Sequence, residues 1–404
     1  MVGLLGRTCV TGLCAAFLVS GVASGEARYK EKILYSFKGG SDGTGPGSAL
    51  VADVQGDLYG ATFSGGGSGC NGFGCGTVFK LTPKGQETVL YAFRSGGDGA
   101  GPDGPLIMDA QGNLYGTAGY GGIDGCEVGC GTIFEVTPQG HETVLYAFAG
   151  FGDGSNPVNG LLADAQGNFY GTALGGGPSV FGEVFQVSPK GAETVLYSFT
   201  GGADGGDPDS GLIADAEGDL YGTGYVQGGC AVSCNTVFKV TPQGSETVFH
   251  DFARAKKGTD PVGVIADAAG NFYGTTEYGA GRSCGGGGCG TVFKLDPAGK
   301  EIVLHTFGRG NDGVFPAAGL LADSQGNLYG TTIWGGGGNC PHGCGTVFEV
   351  TPNGEETVLH AFAGGTDGQG PEGALIADAQ GNLYGTTAAG GSSKNGTVFE
   401  LTKN

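Results

Sequence analysis

The chain has 404 residues, a formal charge of −20 and a pI near 4.4. That balance excludes nucleic acid as a partner, because phosphate neutralisation needs clustered Lys and Arg, and it disfavours anionic membrane surfaces for the same reason. Glycine supplies 91 residues without an every-third-residue period, so collagen is excluded, and 39% apolar residues with 10% aromatics exclude wholesale disorder.

Residues 1–25 read as a signal peptide. Arg7 gives a positive start, "CVTGLCAAFLVSGVA" is an uncharged apolar run, and Ala23-Ser24-Gly25 offers small residues for cleavage. A membrane anchor is the alternative reading of that run, although it is short for a span. No other stretch approaches spanning length, so no transmembrane segment is expected after signal removal. The mature protein is expected outside the cytoplasm: secreted, periplasmic or at the cell surface.

From about residue 28 the chain repeats itself. A Tyr-Gly pair falls at Tyr59, Tyr115, Tyr170, Tyr221, Tyr273, Tyr329 and Tyr384, seven copies spaced 51 to 56 residues apart. Each unit holds four short apolar segments, seen in the sixth as "GLLADSQ", "NLYGTT", "GTVFEVTP" and "ETVLHAF". They are rich in Val, Leu, Thr and aromatics and bounded by Gly, Pro and Asn, which is the strand signal. "DAQGN" and "TPNGE" predict tight hairpin turns. The other two connections, "GGGGNCPHGCG" and "AGGTDGQGPEG", are long and glycine-rich. In an up-and-down sheet these long loops share one face, which is where a binding site is expected.

"EKILYSF" at 31–37 is a lone fourth strand, and the last unit ends at "GTVFELTKN" without one. One blade is therefore built from both termini. An open β-solenoid, the alternative, gains nothing from that offset, whereas a closed ring hides its sheet edges. The expectation is all-β: one domain, residues 28–404, forming a seven-bladed β-propeller of four antiparallel strands per blade, closed by the N-terminal strand completing the last blade.

The unit "ADAQGNLYGTT…GTVFELTPxGxETVLYAF" resembles the GloVer-type tandem repeat family of exported bacterial proteins over nearly the whole mature chain. The resemblance implies export, often with a C-terminal envelope anchor of varying type. This chain stops two residues after "LT", which shifts the expectation toward free secretion or periplasmic residence. The family supplies no established catalytic residues to carry over.

Ten cysteines lie between second and third strands: Cys70/Cys75, Cys126/Cys130, Cys230/Cys234, Cys284/Cys289 and Cys340/Cys344. The third and seventh units lack both members together, which predicts local disulfides suited to an exported protein. Metal or redox chemistry is the alternative, but the spacings do not match a zinc knuckle and no loop adds enough His. An Asp-Gly repeats in the inter-blade loops at Asp42, Asp98, Asp153, Asp204, Asp312 and Asp367. These could ring a calcium ion, or each could cap a turn through its side chain. Asp53, Asp109, Asp164, Asp215, Asp267, Asp323 and Asp378 precede the hairpins and suit Asx turns.

Departures from the repeat mark candidate binding residues. Lys257 replaces the loop Asp, with Arg254 and Lys256 beside it; Arg282 and Arg309 lie in neighbouring loops; the only tryptophan, Trp334, and His342 stand in "WGGGGNCPHGC". Together they form a candidate basic and aromatic patch for an anion or a sugar, with drift of exposed loops as the competing reading. His250, His305 and His360 take the place of Tyr35, Tyr91, Tyr146 and Tyr197, predicting half-exposed outer-strand positions without a catalytic role, and His141 lies in a hairpin turn. No G-x-S-x-G elbow on a strand-to-helix turn, H-E-x-x-H helix or P-loop is present, so no catalytic residue is assigned. The expected function is a non-enzymatic, monomeric binding or scaffold propeller for a glycan or envelope protein, requiring no cofactor. A polysaccharide lyase or hydrolase, or a quinone-dependent dehydrogenase, is the alternative on the same fold.

Overall fold

In the computed structural model, residues 29–123, 126–150, 152–177, 179–225, 235–252, 258–280, 284, 287–308 and 311–403 are described. Their strands pair into seven antiparallel sheets. Six are contiguous in sequence. The seventh is built from Ile376–Ala377, Leu383–Thr387 and Thr397–Lys403, with Tyr29–Ser36 as its outer strand in register against the C-terminal one, Tyr29 opposite Lys403 and Ser36 opposite Thr397. The propeller is thus closed by both termini, as the strand inventory requires, and no α-helix occurs among the described residues.

The recurrent phrase around Tyr-Gly explains how each blade is built. In the sixth, Asp323 Oδ1 accepts hydrogen bonds from the backbone N–H groups of Gln325 and Asn327 at 2.9 Å, fixing the hairpin, while Oδ2 accepts the Tyr329 hydroxyl at 3.1 Å. Gly330 is needed for close approach: a Cβ there would stand 2.5 Å from Cζ of Phe348 on the next strand. The Thr331 hydroxyl crosses to the seventh blade and donates to the Gly373 carbonyl at 3.3 Å. Thr332 and Thr346 share a buried hydroxyl pair at 2.9 Å. Tyr329, Gly330, Thr331 and Thr332 of the phrase thus each have a structural task.

Blades are joined by phenylalanines. The Phe ending each fourth strand sits edge-on against the third-strand Phe of the following blade, from Phe37–Phe79 at 5.1 Å round to Phe362–Phe399 at 5.2 Å, with both rings buried. Each such ring contributes about 1.5–3 kcal/mol by leaving water, and edge-on contact suits the ring quadrupoles. The core is therefore a belt between blades, and the short inner strands around the axis are left to line a channel.

Candidate functional site

The channel opens toward the long loops as a funnel of about 540 Å³, lined by segments of all seven blades, including Gly47–Ala49, Asp103, Asn159, Asp209, Gly263, Ala318 and Glu372. Each of these segments follows the inter-blade proline. The residue directly after it is Gly47, Asp103, Val158, Asp209, Val262, Ala317 or Glu372, so three blades aim a carboxyl at the axis. None of the described lining residues is basic. Burial pushes the Asp103 and Glu372 carboxyls up, and Asp103 also repels Glu372. Asp209 is the most perturbed: burial, with repulsion from Asp260, Glu277 and Asp207, lifts it to about 7, and its Oδ1 is buried without a hydrogen-bond partner. Glu277 and Asp260 are themselves raised by burial.

The position before the proline is left-handed in every blade, with φ between 39° and 67°. Gly45, Gly101 and Gly370 take it without strain, Asn156, Asp207 and Asp260 are residue types that tolerate it, and Phe315 holds it against about 1–2 kcal/mol. Phe315 is held in place by its neighbours, with its ring 5.1 Å from Tyr278 and 5.3 Å from Trp334.

Around the funnel mouth, three blades lengthen their second strand and pair the extension with the inter-blade segment. Ala100 lies opposite Tyr120, Thr259 opposite Tyr278 and Val314 opposite Trp334. A strand pair is a stiffer support than a glycine loop, and each extension carries an aromatic ring. Trp334, 41% exposed, lies 5.2 Å from the tilted imidazole of His342 and borders a groove of about 680 Å³ with Phe315, Asn311, Asp312 and the Cys284–Cys289 bridge. A second groove, about 730 Å³, lies between the first two blades beside Phe63, Phe73, Tyr120, Ile123 and Val128. Phe63 and Tyr120 meet edge-on at 6.4 Å, and Phe73 is 79% exposed.

Trp334 and His342, two of the candidate patch residues, are neighbours. Arg254, Lys256, Lys257, Arg282 and Arg309, the basic part of the expected patch, lie outside the described residues. Four cysteine pairs are bonded, Cys70–Cys75, Cys126–Cys130, Cys284–Cys289 and Cys340–Cys344, while Cys230 and Cys234 lie outside the described residues. The loop aspartates act as turn caps: Asp42 Oδ2 accepts the Lys38 N–H at 3.0 Å and the Tyr35 hydroxyl at 2.8 Å, and Asp98, Asp153, Asp204, Asp312 and Asp367 repeat the backbone bond.

His250, His305 and His360 stand on outer strands and are half-buried. Their side chains are 16%, 17% and 20% exposed, packed on Phe252, Phe307 and Phe362 and turned toward Glu301, Asp312 and Asp367. His305 and His360 exchange with Tyr because both ring types present a polar atom to the loop aspartate, whereas His250 Nδ1 lies 2.9 Å from the Gly299 carbonyl. The funnel acids and the rings of Tyr120, Tyr278 and Phe315 were missed. Their signal lay in the variable positions flanking the inter-blade proline and following the "GT" of the second strand.

These features define a closed seven-bladed β-propeller whose irregular residues gather at one mouth of the channel. The chain belongs to the Gloeobacter/Verrucomicrobia repeat family, matched over residues 23–233, 123–287 and 223–404. No curated protein matches it. Among solved structures it is similar to the extracellular domain of BT4673 from B. thetaiotaomicron, in two structures: at 13% identity and a TM-score of 0.56 over 93% of this chain and 43% of that one, and at 14% and 0.53 over 90% and 40%. The chain spans about two-fifths of that neighbour's length, and the likeness is one of fold. A gluconolactonase, XC5397 from Xanthomonas campestris, is 16% identical over 76% of this chain and 87% of its own, with a TM-score of 0.45.

Proposed function

We propose that this is an exported binding propeller that takes a glycan on its long-loop face. The observation that carries the reading is the Trp334 platform: a large exposed ring, braced by strand pairing to Val314 and by Phe315, beside a groove at the rim of an acidic funnel. Sugar rings present C–H faces that stack on such platforms, and hydroxyl groups donate to carboxylates such as Asp103 and Glu372. The four bonded cysteine pairs fit an oxidising compartment, hence export.

Trp334 is the only tryptophan, so intrinsic fluorescence reports on this one site. Titrating neutral and amino-bearing oligosaccharides should shift its emission saturably. Trp334→Ala should weaken binding about tenfold, the equivalent of about 1.4 kcal/mol, and Trp334→Phe should restore part of it. An unresponsive emission across a glycan panel, with array binding unchanged in Trp334→Ala, refutes the reading. It would leave an envelope protein as the occupant to test by the same variant.

A second reading, an extracellular polysaccharide hydrolase or lyase, is favoured by Asp209, a buried carboxyl lifted to about 7 among other acids. Release of new chain ends from a bound polysaccharide, abolished in Asp209→Asn, would support it; binding without turnover at any pH from 5 to 8 would remove it.

A further inference from the structure

At six of the seven seams between blades, three residues come together: the Tyr or His of an outer strand, the Asp of the following loop and the first Glu of the next blade's outer strand. Where the first is Tyr, its hydroxyl donates to the Asp, at 2.8 Å for Tyr35–Asp42 and Tyr91–Asp98, 2.7 Å for Tyr146–Asp153 and 2.9 Å for Tyr197–Asp204. The seam between the sixth and seventh blades is different. Its members are His360, Asp367 and Glu31, the last from the N-terminal strand that closes the ring, and their ligand atoms all lie within 4.8 Å of one another. His360 Nε2 stands 3.4 Å from Asp367 Oδ1, but makes no aligned hydrogen bond, and Glu31 Oε1 is buried beside it without a partner.

We propose that His360, Asp367 and Glu31 form a site for one divalent transition cation, Zn²⁺ or a close relative, which ties the N-terminal strand to the sixth blade. One imidazole nitrogen and two carboxylate oxygens are a donor set such ions accept, with water in the fourth position. Ligands about 2.0–2.2 Å from a tetrahedral ion stand roughly 3.3 Å apart. His360 and Asp367 already have that spacing at 3.4 Å, and Glu31, whose ligand atom lies within 4.8 Å of both, would draw in to close the site. A phenol cannot replace the imidazole, because its hydroxyl is bound to carboxylate and its proton is held well above the ordinary phenol range, as at Tyr35, by burial and by Asp42 and Glu87. The other histidine seams are poorer. His305 Nε2 is engaged with Asp312 at 3.2 Å, and at His250 the loop position carries Lys257, outside the described residues.

The test is ZnCl₂ titration by calorimetry of tag-free, EDTA-stripped full-length protein, with melting temperature as a second readout. One ion per chain and a raised melting temperature are expected, and His360→Tyr should lose both. That variant installs the residue four other seams already use, so it should fold and melt like the stripped wild type. His305→Tyr should retain the site. No zinc binding, or equal stoichiometry in His360→Tyr and wild type, overturns the proposal.

Discussion

Glu183 replaces the threonine that opens the third strand in the other six blades: Thr77, Thr132, Thr236, Thr291, Thr346 and Thr397. Its side chain is buried, and neither carboxylate oxygen has a hydrogen-bond partner. Burial, with repulsion from Glu193 and Asp153, lifts its pKa from 4.5 to about 8. The unfolded chain therefore loses this proton near pH 4.5, while the folded chain keeps it to about 8. Below 4.5 both states are protonated and the residue costs nothing. As pH rises the folded state is progressively disfavoured, and above 8 the penalty is constant. At pH 7 the gap of about 2.5 pKa units corresponds to about 3 kcal/mol. With unfolding entropy of about 2.1 cal/mol/K per residue over about 375 residues, that is about 4 °C in melting temperature. Glu183→Thr should remove it. The second blade shows the replacement fits, since Thr132 there stands opposite an alanine, Ala118, as residue 183 stands opposite Ala173. Melting of both proteins by calorimetry between pH 4.5 and 8 is the assay. The difference should swing by about 4 °C toward the variant by pH 7, on top of any pH-independent packing offset. A difference that stays flat across this range, or that favours wild type as pH rises, would refute the reasoning.

Gly330→Ala places a methyl against the Phe348 ring; overpacking should cost about 1–3 kcal/mol, read by denaturant unfolding, and a loss below 0.5 kcal/mol, roughly the scatter of a neutral surface change, would contradict the close-approach argument. Replacing Cys340 and Cys344 by alanine opens a bridge spanning only 4 positions, so the loss should be about 2 kcal/mol. The same pair should change local proteolysis at 336–345 more than the melting temperature, and a global collapse would show the bridge to be a folding requirement.

The blade count, the closure by both termini and the identity of the loop face were legible because seven units sample one pattern, so strand and turn positions could be read against each other. The site was legible only in part. Trp334 stood out as a single residue type, but Asp103, Asp209 and Glu372 are ordinary residues made unusual by their position. Only the ring geometry brings blades two, four and seven to one axis. The exchange of Tyr35 with His250, His305 and His360 was visible, yet its cause at His305 and His360, the loop aspartate that Tyr35 also reaches at its own seam, needs the folded loop in place.

The left-handed position before the proline carries the argument one step further. Gly45, Gly101 and Gly370 show that the backbone there is satisfied by glycine, which adopts it without steric cost. Asn and Asp tolerate that conformation through local hydrogen bonding, whereas a bulky ring such as that of Phe315 holds it against about 1–2 kcal/mol. Phe315 therefore needs a reason other than folding, and with Asn156, Asp207 and Asp260 it puts a side chain at this position in four consecutive blades, the third to the sixth. Phe315 braces Trp334, while Asp207 and Asp260 crowd Asp209. Strain, the aromatic platform and the most perturbed carboxyl coincide on one half of the mouth, so a ligand is expected to lie off-axis, across blades four to six, and not centred on the sevenfold ring.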